Sequence, residues 1–229
     1  MKVTVGCSLL VFSMSTFAGI QVDATRVIYK GSNQSASLSL TNDSEDTYMV
    51  QSWLDTGDAT QTPKGLPIVV TPPILKLASH KEAVLRFIYS GQGLPQNKES
   101  LFWINVQEIP PAPKLENVLQ VAIRTRIKLF YRPAALQIDL NKQAQALKWQ
   151  RSGDDIVVTN AGPAHITLGV LNFAGNGQKA CSLNGEMVKP EDSLRITLPL
   201  TCRTANELSF SFINDYGGHT EIKGIRLDR

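Results

Sequence analysis

The sequence predicts an all-β protein of two antiparallel sandwiches. Short stretches in which apolar and polar residues alternate recur from Thr25 to Leu227, and that period of two is the side-chain period of strands. Turn-forming residues separate the stretches, and almost no helical periodicity interrupts them. They form two successive series on either side of Pro133, so a domain boundary is placed near Pro133-Ala-Ala.

The first series runs Thr25 to Tyr29, Ala36 to Leu40, Tyr48 to Trp53, Ile68 to Val70, Ala83 to Ile88 and Leu101 to Val106, followed by one long strand. Gly31-Ser-Asn, Asn42-Asp-Ser, Pro63-Lys-Gly and Ser90-Gly-Gln-Gly supply turns between them. Short strands at this spacing suit a sandwich of roughly one hundred residues. The second series runs Leu136 to Leu140, Ala146 to Trp149, Asp155 to Thr159, Ile166 to Phe173, Leu194 to Leu198, Leu208 to Ile213 and Thr220 to Leu227. Its turns fall at Asn176-Gly177, Asn184-Gly185 and Gly217-Gly218.

The long strand, Asn117 to Pro133, is the most informative stretch. Leu119, Val121, Ile123, Thr125, Ile127 and Leu129 share one side, while Gln120, Arg124, Arg126 and Lys128 share the other. The alternation lasts far longer than the five or six residues of a usual strand. Pro110-Pro-Ala-Pro before it cannot join a sheet interior, and Pro133 ends it. A strand that outruns its neighbours leaves apolar side chains to meet something outside the domain.

Residues 1–18 stand apart from both series. Lys2, an apolar run from Val3 to Phe12 and a small-residue end with Thr16 and Ala18 have the layout of a secretory signal peptide, which leaves Gly19 first. The run falls short of the ~20 residues of a membrane span, so no direct membrane insertion is expected. A lipoprotein would have its apolar run before the cysteine, whereas here the apolar residues Leu9 to Phe12 follow Cys7, which argues against that reading. The remaining 211 residues suit one large or two smaller domains.

Without Lys2 the chain carries 22 basic and 20 acidic side chains. So weak a balance argues against nucleic acid as a partner. Arg124, Arg126, Lys128 and Arg132 form a basic stripe, which reads as a solvated strand face or a guard against edge aggregation. Two cysteines remain after the leader, Cys181 and Cys202, and an exported chain is expected to pair them. A closed loop of that size contributes about 3 kcal/mol in the chain-entropy account. Two buried free thiols are the other reading.

Catalytic chemistry is not legible. His80, His165 and His219 each stand alone, without metal-ligand spacing to another His or Cys. The chain has no Gly-x-Ser-x-Gly elbow, phosphate loop or dinucleotide fingerprint. No enzyme activity, metal or cofactor is therefore expected.

Leu94-Pro-Gln-Asn-Lys-Glu-Ser-Leu-Phe-Trp-Ile-Asn-Val-Gln-Glu-Ile-Pro110 resembles the signature segment of periplasmic pilus chaperones, the PapD-like family. The match runs through Pro95, Asn97, Glu99, Ser100, Trp103, Asn105, Ile109 and Pro110. Ile127-Lys-Leu-Phe-Tyr-Arg-Pro133 resembles that family's strand and domain exit, Thr25-Arg-Val-Ile-Tyr29 its first strand, and Ile213-Asn-Asp-Tyr-Gly-Gly218 its closing hairpin. These pieces keep their order over nearly the whole mature chain.

The resemblance implies an all-β protein of two immunoglobulin-like sandwiches, 19–133 and 134–229, set in an L with a cleft between them. It implies a chaperone that captures pilus or fimbrial subunits by donor-strand complementation and delivers them to an outer-membrane usher in the periplasm. By position in the motifs, Arg26 and Lys128 match the pair that anchors the subunit's C-terminal carboxylate. Leu119, Val121 and Ile123 match the residues given to the subunit groove, in a capping strand of about 117–132. Glu99, Arg132 and Asp215 match the charged group that links the domains. Ordinary surface charge is the alternative reading of both charged sets. Alternation puts Lys128 on the face opposite Leu119, so a twist or bend is needed for both to serve one partner. Thr47 precedes Tyr48 where the family often has proline, and the short connection from Pro110 to Asn117 suits the subfamily that serves rod-like adhesive pili.

The competing function is a secreted two-domain adhesin or ligand-binding sandwich. Such a protein would carry a polar or aromatic pocket on loops at a sandwich end. It would not need an over-long apolar strand beside cleft cations.

Overall fold

The computed structural model describes residues 19–61, 63–113, 118–174 and 181–227. The leader, the first residue of the long strand at Asn117, and the Asn176-Gly177 turn lie outside the described residues. The described chain is nearly all strand and forms two sandwiches, each with its own buried apolar cluster.

The first sandwich packs two sheets. One orders β1 (Ile20–Val22), β3 (Ala36–Asn42), β7 (Glu82–Tyr89) and β5 (Ile68–Thr71) as β1-β3-β7-β5. The other orders β2 (Arg26–Lys30), β9 (Arg124–Arg132), β8 (Ser100–Ile109), β4 (Tyr48–Asp55) and β6 (Ile74–Leu77) as β2-β9-β8-β4-β6. Period-2 burial follows the sequence pattern: Leu38 and Leu40 on β3, Leu85 and Phe87 on β7, and Ile127, Leu129 and Tyr131 on β9 face one core. The second sandwich packs β10 (Lys148–Ser152), β11 (Asp155–Asn160) and β15 (Asp192–Thr197) against a sheet ordered β13-β12-β16-β17. Those strands are β12 (Ile166–Ala174), β13 (Cys181–Asn184), β16 (Glu207–Ile213) and β17 (His219–Arg226), with β14 (Met187–Val188) also pairing β12.

Several expectations need correction. The strand expected over Asn117–Pro133 is hydrogen-bonded as a strand only from Arg124 to Arg132. Its ladder with β8 ends at Gln107↔Arg124, because β8 stops at Ile109 before Pro110-Pro111, and proline has no N–H to donate. Leu136 to Leu140 is no strand: Asp139 accepts the N–H groups of Asn141 (3.0 Å) and Lys142 (3.2 Å) and caps the short helix α1 (Leu140–Gln145). Its Lys, Gln and Ala residues favour that helix, which buries Ala144. The pairing is not wholly antiparallel either. β2 runs parallel to β9, because the chain leaves β1 and crosses to the other sheet within Asp23–Thr25. The short strands β1, β6, β13 and β14 leave no signal in the sequence, since two to four residues carry too little alternation.

Cys181 and Cys202 form a disulfide, with Cα atoms 5.5 Å apart. It ties β13 to a 3₁₀ turn at Leu200–Cys202. At the junction of the sandwiches, Gly217 turns the β16–β17 hairpin with φ +84° and packs against Thr25 just before β2. A side chain there would collide with the Thr25 hydroxyl, and L residues rarely adopt that φ.

Candidate functional site

The outer face of the β4-β8-β9 sheet carries the basic stripe, and its members meet different fates. Arg124 donates from Nε (2.9 Å) and Nη2 (2.6 Å) to Asn105 Oδ1 and lies 5.0 Å from the Trp53 ring centre. Arg126 forks onto Asp55 with bonds of 3.1 and 2.5 Å and lies 4.2 Å from the Trp103 ring centre. Burial pushes the Asp55 carboxyl up, but hydrogen bonds from Arg126, Asn105 and the Gly57 N–H outweigh it and hold the group below its ordinary value.

Arg132 is the keystone between the sandwiches. Its Nε donates to Glu99 Oε1 (2.6 Å), and its Nη1 and Nη2 fork onto Asp215 (2.6 Å each). Glu99 Oε2 accepts the backbone N–H of His165 (2.8 Å) and meets His165 Nδ1 (2.9 Å). Glu99 and Arg132 come from the first sandwich, Asp215 and His165 from the second, so the three charges named from the motifs are brought together. Burial lowers the Arg132 value, but hydrogen bonds and charge from Asp215 and Glu99 raise it further. His165, a lone histidine with no spacing signal, is the member that sequence reasoning missed. Its ring also packs 5.6 Å from Phe130.

Arg26 and Lys128 lie side by side as register partners of β2 and β9. Neither forms an ion pair among the described residues. Among the described residues, Lys128 Nζ has only the Thr167 hydroxyl at 3.5 Å and the Trp103 ring at 5.4 Å. Burial and then the Arg26 charge push the ammonium below its ordinary value. Arg26 donates from Nη1 to the Ile213 carbonyl (3.2 Å), while its buried Nε has no partner among the described residues. Burial depresses the guanidinium despite the pull of Asp215 and Glu99. Two half-buried cations with spare donors create a strong demand for an anion. A carboxylate, with two acceptor oxygens, meets it.

The segment before β9 has the opposite chemistry. Leu119 is 92% exposed, Val121 65% and Ile123 45%. Scattered exposed apolar residues are ordinary, but a run on one unpaired segment marks an interaction surface. Its end is tied down where the Glu108 N–H donates to the Ile123 carbonyl (3.0 Å) and the Ile123 N–H donates to Glu108 Oε1 (3.3 Å), and the Gln120 side chain donates to the Pro111 carbonyl (2.5 Å). On the other side β2 pairs β9 only from Lys128 onward, so, among the described residues, 124–127 offer a free backbone edge. At about 3.3 Å per residue, roughly 17 Å of strand separates Ile123 from Lys128. Simple alternation holds, with Lys128 on the outer sheet face and Ile127 and Leu129 in the core.

Residues 19–137 match the family described as pili and flagellar-assembly chaperone, PapD N-terminal domain, and residues 142–224 match pili assembly chaperone PapD, C-terminal domain. The chain belongs to the PapD family of pilus-assembly chaperones. It is 38% identical to the chaperone protein PmfD of Proteus mirabilis, over 95% of this chain and 88% of that one. It is also 38% identical to the probable fimbrial chaperone LpfB of Escherichia coli O157:H7, over 96% and 94% of the two chains. The crystal structure of the YadV chaperone superposes with a TM-score of 0.79 at 34% identity, covering 92% of this chain and all of that one. This PapD-family chain has no helix among its described residues long and apolar enough to cross a membrane.

Proposed function

We propose that this chain is a periplasmic chaperone, without catalysis, that caps pilus or fimbrial subunits by donor-strand complementation and passes them to an outer-membrane usher. Residues 1–18 direct export and are removed. Segment 118–127 adds as a strand to the incomplete sandwich of a subunit, whose backbone pairs with the free edge. Leu119, Val121 and Ile123 enter the subunit's groove, each contributing about 1.5–3 kcal/mol when fully buried. Arg26 and Lys128 bind the subunit's C-terminal carboxylate and so fix register, since a slip of one residue would turn the wrong face inward. Glu99, Arg132, Asp215 and His165 hold the two sandwiches in the orientation that keeps this cleft open.

The observation that carries the reading is the continuity of one segment: exposed apolar residues lead directly into β9, where Lys128 and its β2 neighbour Arg26 are half-buried without an ion pair among the described residues. Co-purification of a fimbrial subunit from periplasm tests it. Arg26→Ala and Lys128→Ala each lose capture by about 2–5 kcal/mol of affinity while unfolding normally. Normal capture by both variants would sink the carboxylate anchor.

A further inference from the structure

We propose that leader removal creates a buried ion pair between the new α-ammonium of Gly19 and the Glu108 carboxylate, and that this pair sets the root of the apolar 118–123 segment. The proposal rests on the reading above that cleavage leaves Gly19 first.

Glu108 is 5% exposed and sits at the end of β8, beyond the last ladder pair between β8 and β9. Its Oε2 accepts the Ile20 N–H (3.0 Å) and its Oε1 the Ile123 N–H (3.3 Å). One carboxylate thus bridges the first strand of the mature chain and the last residue of the exposed apolar run. No Lys, Arg or His side chain pairs with it among the described residues. Tyr48 beside it brings no positive charge; burial and then the Glu108 charge push the Tyr48 hydroxyl up, and Asp46 adds to the negative charge that Tyr48 feels. Two amide bonds do not neutralise a buried carboxylate, and an uncompensated buried charge is costly.

Gly19 stands where a compensating cation would have to be. It is buried, and its carbonyl accepts the Asp43 N–H (3.2 Å). A Cβ built on it would lie 2.9 Å from Glu108 Oε2 and 2.9 Å from the Tyr48 ring, so its backbone is packed against the carboxylate. The nitrogen on that same Cα is an uncharged amide while the leader is attached. After cleavage it is an ammonium on the Cα that packs beside Oε2. Export then does more than relocate the chain. It supplies the charge that anchors Ile123, and with it the register from which Leu119 and Val121 project.

The test is a double-mutant cycle on the full mature chain. Glu108→Gln is made in protein that starts at Gly19, verified by intact mass, and in protein with two extra residues before Gly19. In the Gly19-initiated protein the substitution should lower the unfolding midpoint by roughly 5–10 °C and weaken binding of a purified fimbrial subunit about tenfold or more. In the extended protein the same substitution should change neither, or raise the midpoint. Equal losses in both backgrounds overturn the ion pair. Coupling in stability without coupling in subunit affinity overturns its link to the apolar segment. If Glu108→Gln does not fold, trace acetylation of the wild-type α-amino group against pH decides: a pKa above the ordinary 7.7–8.0 is expected, and one at or below it overturns the proposal. Periplasmic protein that starts elsewhere than Gly19 overturns the cleavage reading and this proposal together, while subunit capture stands or falls separately.

Discussion

The two ends of the stretch from Val118 to Arg132 share one alternating pattern and differ in what covers it. At the β9 end Leu129 is fully buried, and Arg126 and Arg132 are locked by carboxylates. At the other end Leu119 and Val121 face outward, and at the join Lys128 and its neighbour Arg26 form no direct ion pair among the described residues. The difference teaches that alternation states which residues share a face but not whether that face has a partner. An uncovered face beside un-neutralised cations is the mark of a site kept open for another chain.

The sharpest way to break the comparison is at Arg132. Arg132→Ala leaves Glu99 buried without its guanidinium and should cost about 3–5 kcal/mol in denaturant unfolding. A loss under 1 kcal/mol would mean that the paired end is no more committed than the open one.

Next comes the apolar contrast. Leu129→Ala should destabilise the free protein by about 2–5 kcal/mol. Leu119→Ala and Val121→Ala should stay within about ±0.5 kcal/mol in stability and show their effect in subunit affinity instead. Uniform destabilisation along the segment, with no separate binding defect, would erase the difference between its ends.

The Arg126–Asp55 pair sharpens the comparison through pH. The folded-state value of Asp55 lies below its unfolded value, so the pair's contribution is fully present above the ordinary aspartate value of about 3.9 and fades as pH falls through the folded value. The stability gap between wild type and Asp55→Asn should be constant from pH 7 to 5 and shrink below about pH 4. A gap already closing at pH 6 would contradict the assignment.

The smallest effect is expected at Lys128, and its sign is the informative part. The folded-state ammonium is depressed, so the charged form opposes folding at neutral pH, and stability returns as pH rises through the folded value toward the unfolded one, about 10.4. Lys128→Met should leave the free protein as stable as wild type or slightly more so, by up to about 1 kcal/mol, while abolishing subunit capture. Marked destabilisation would show that Lys128 holds the fold and does not wait for an anion.

By itself the sequence determined the all-β class, the two strand series and the faces that β3, β7 and β9 bury, because side-chain period and proline chemistry are local properties. It also singled out Glu99, Arg132 and Asp215 by motif, and Cys181 with Cys202 by compartment. Tertiary structure alone decided where the long strand stops, because a ladder needs a neighbour and β8 runs into Pro110. It decided that Leu136–Leu140 leads into a capped helix, where Asp139 reaches two free N–H groups that alternation does not register. It recruited His165 to Glu99 across the domain junction and set Gly19 against Glu108 at 88 residues' remove from Ile20. Buried charges find their partners through space, and the distance along the chain carries no signal of that encounter.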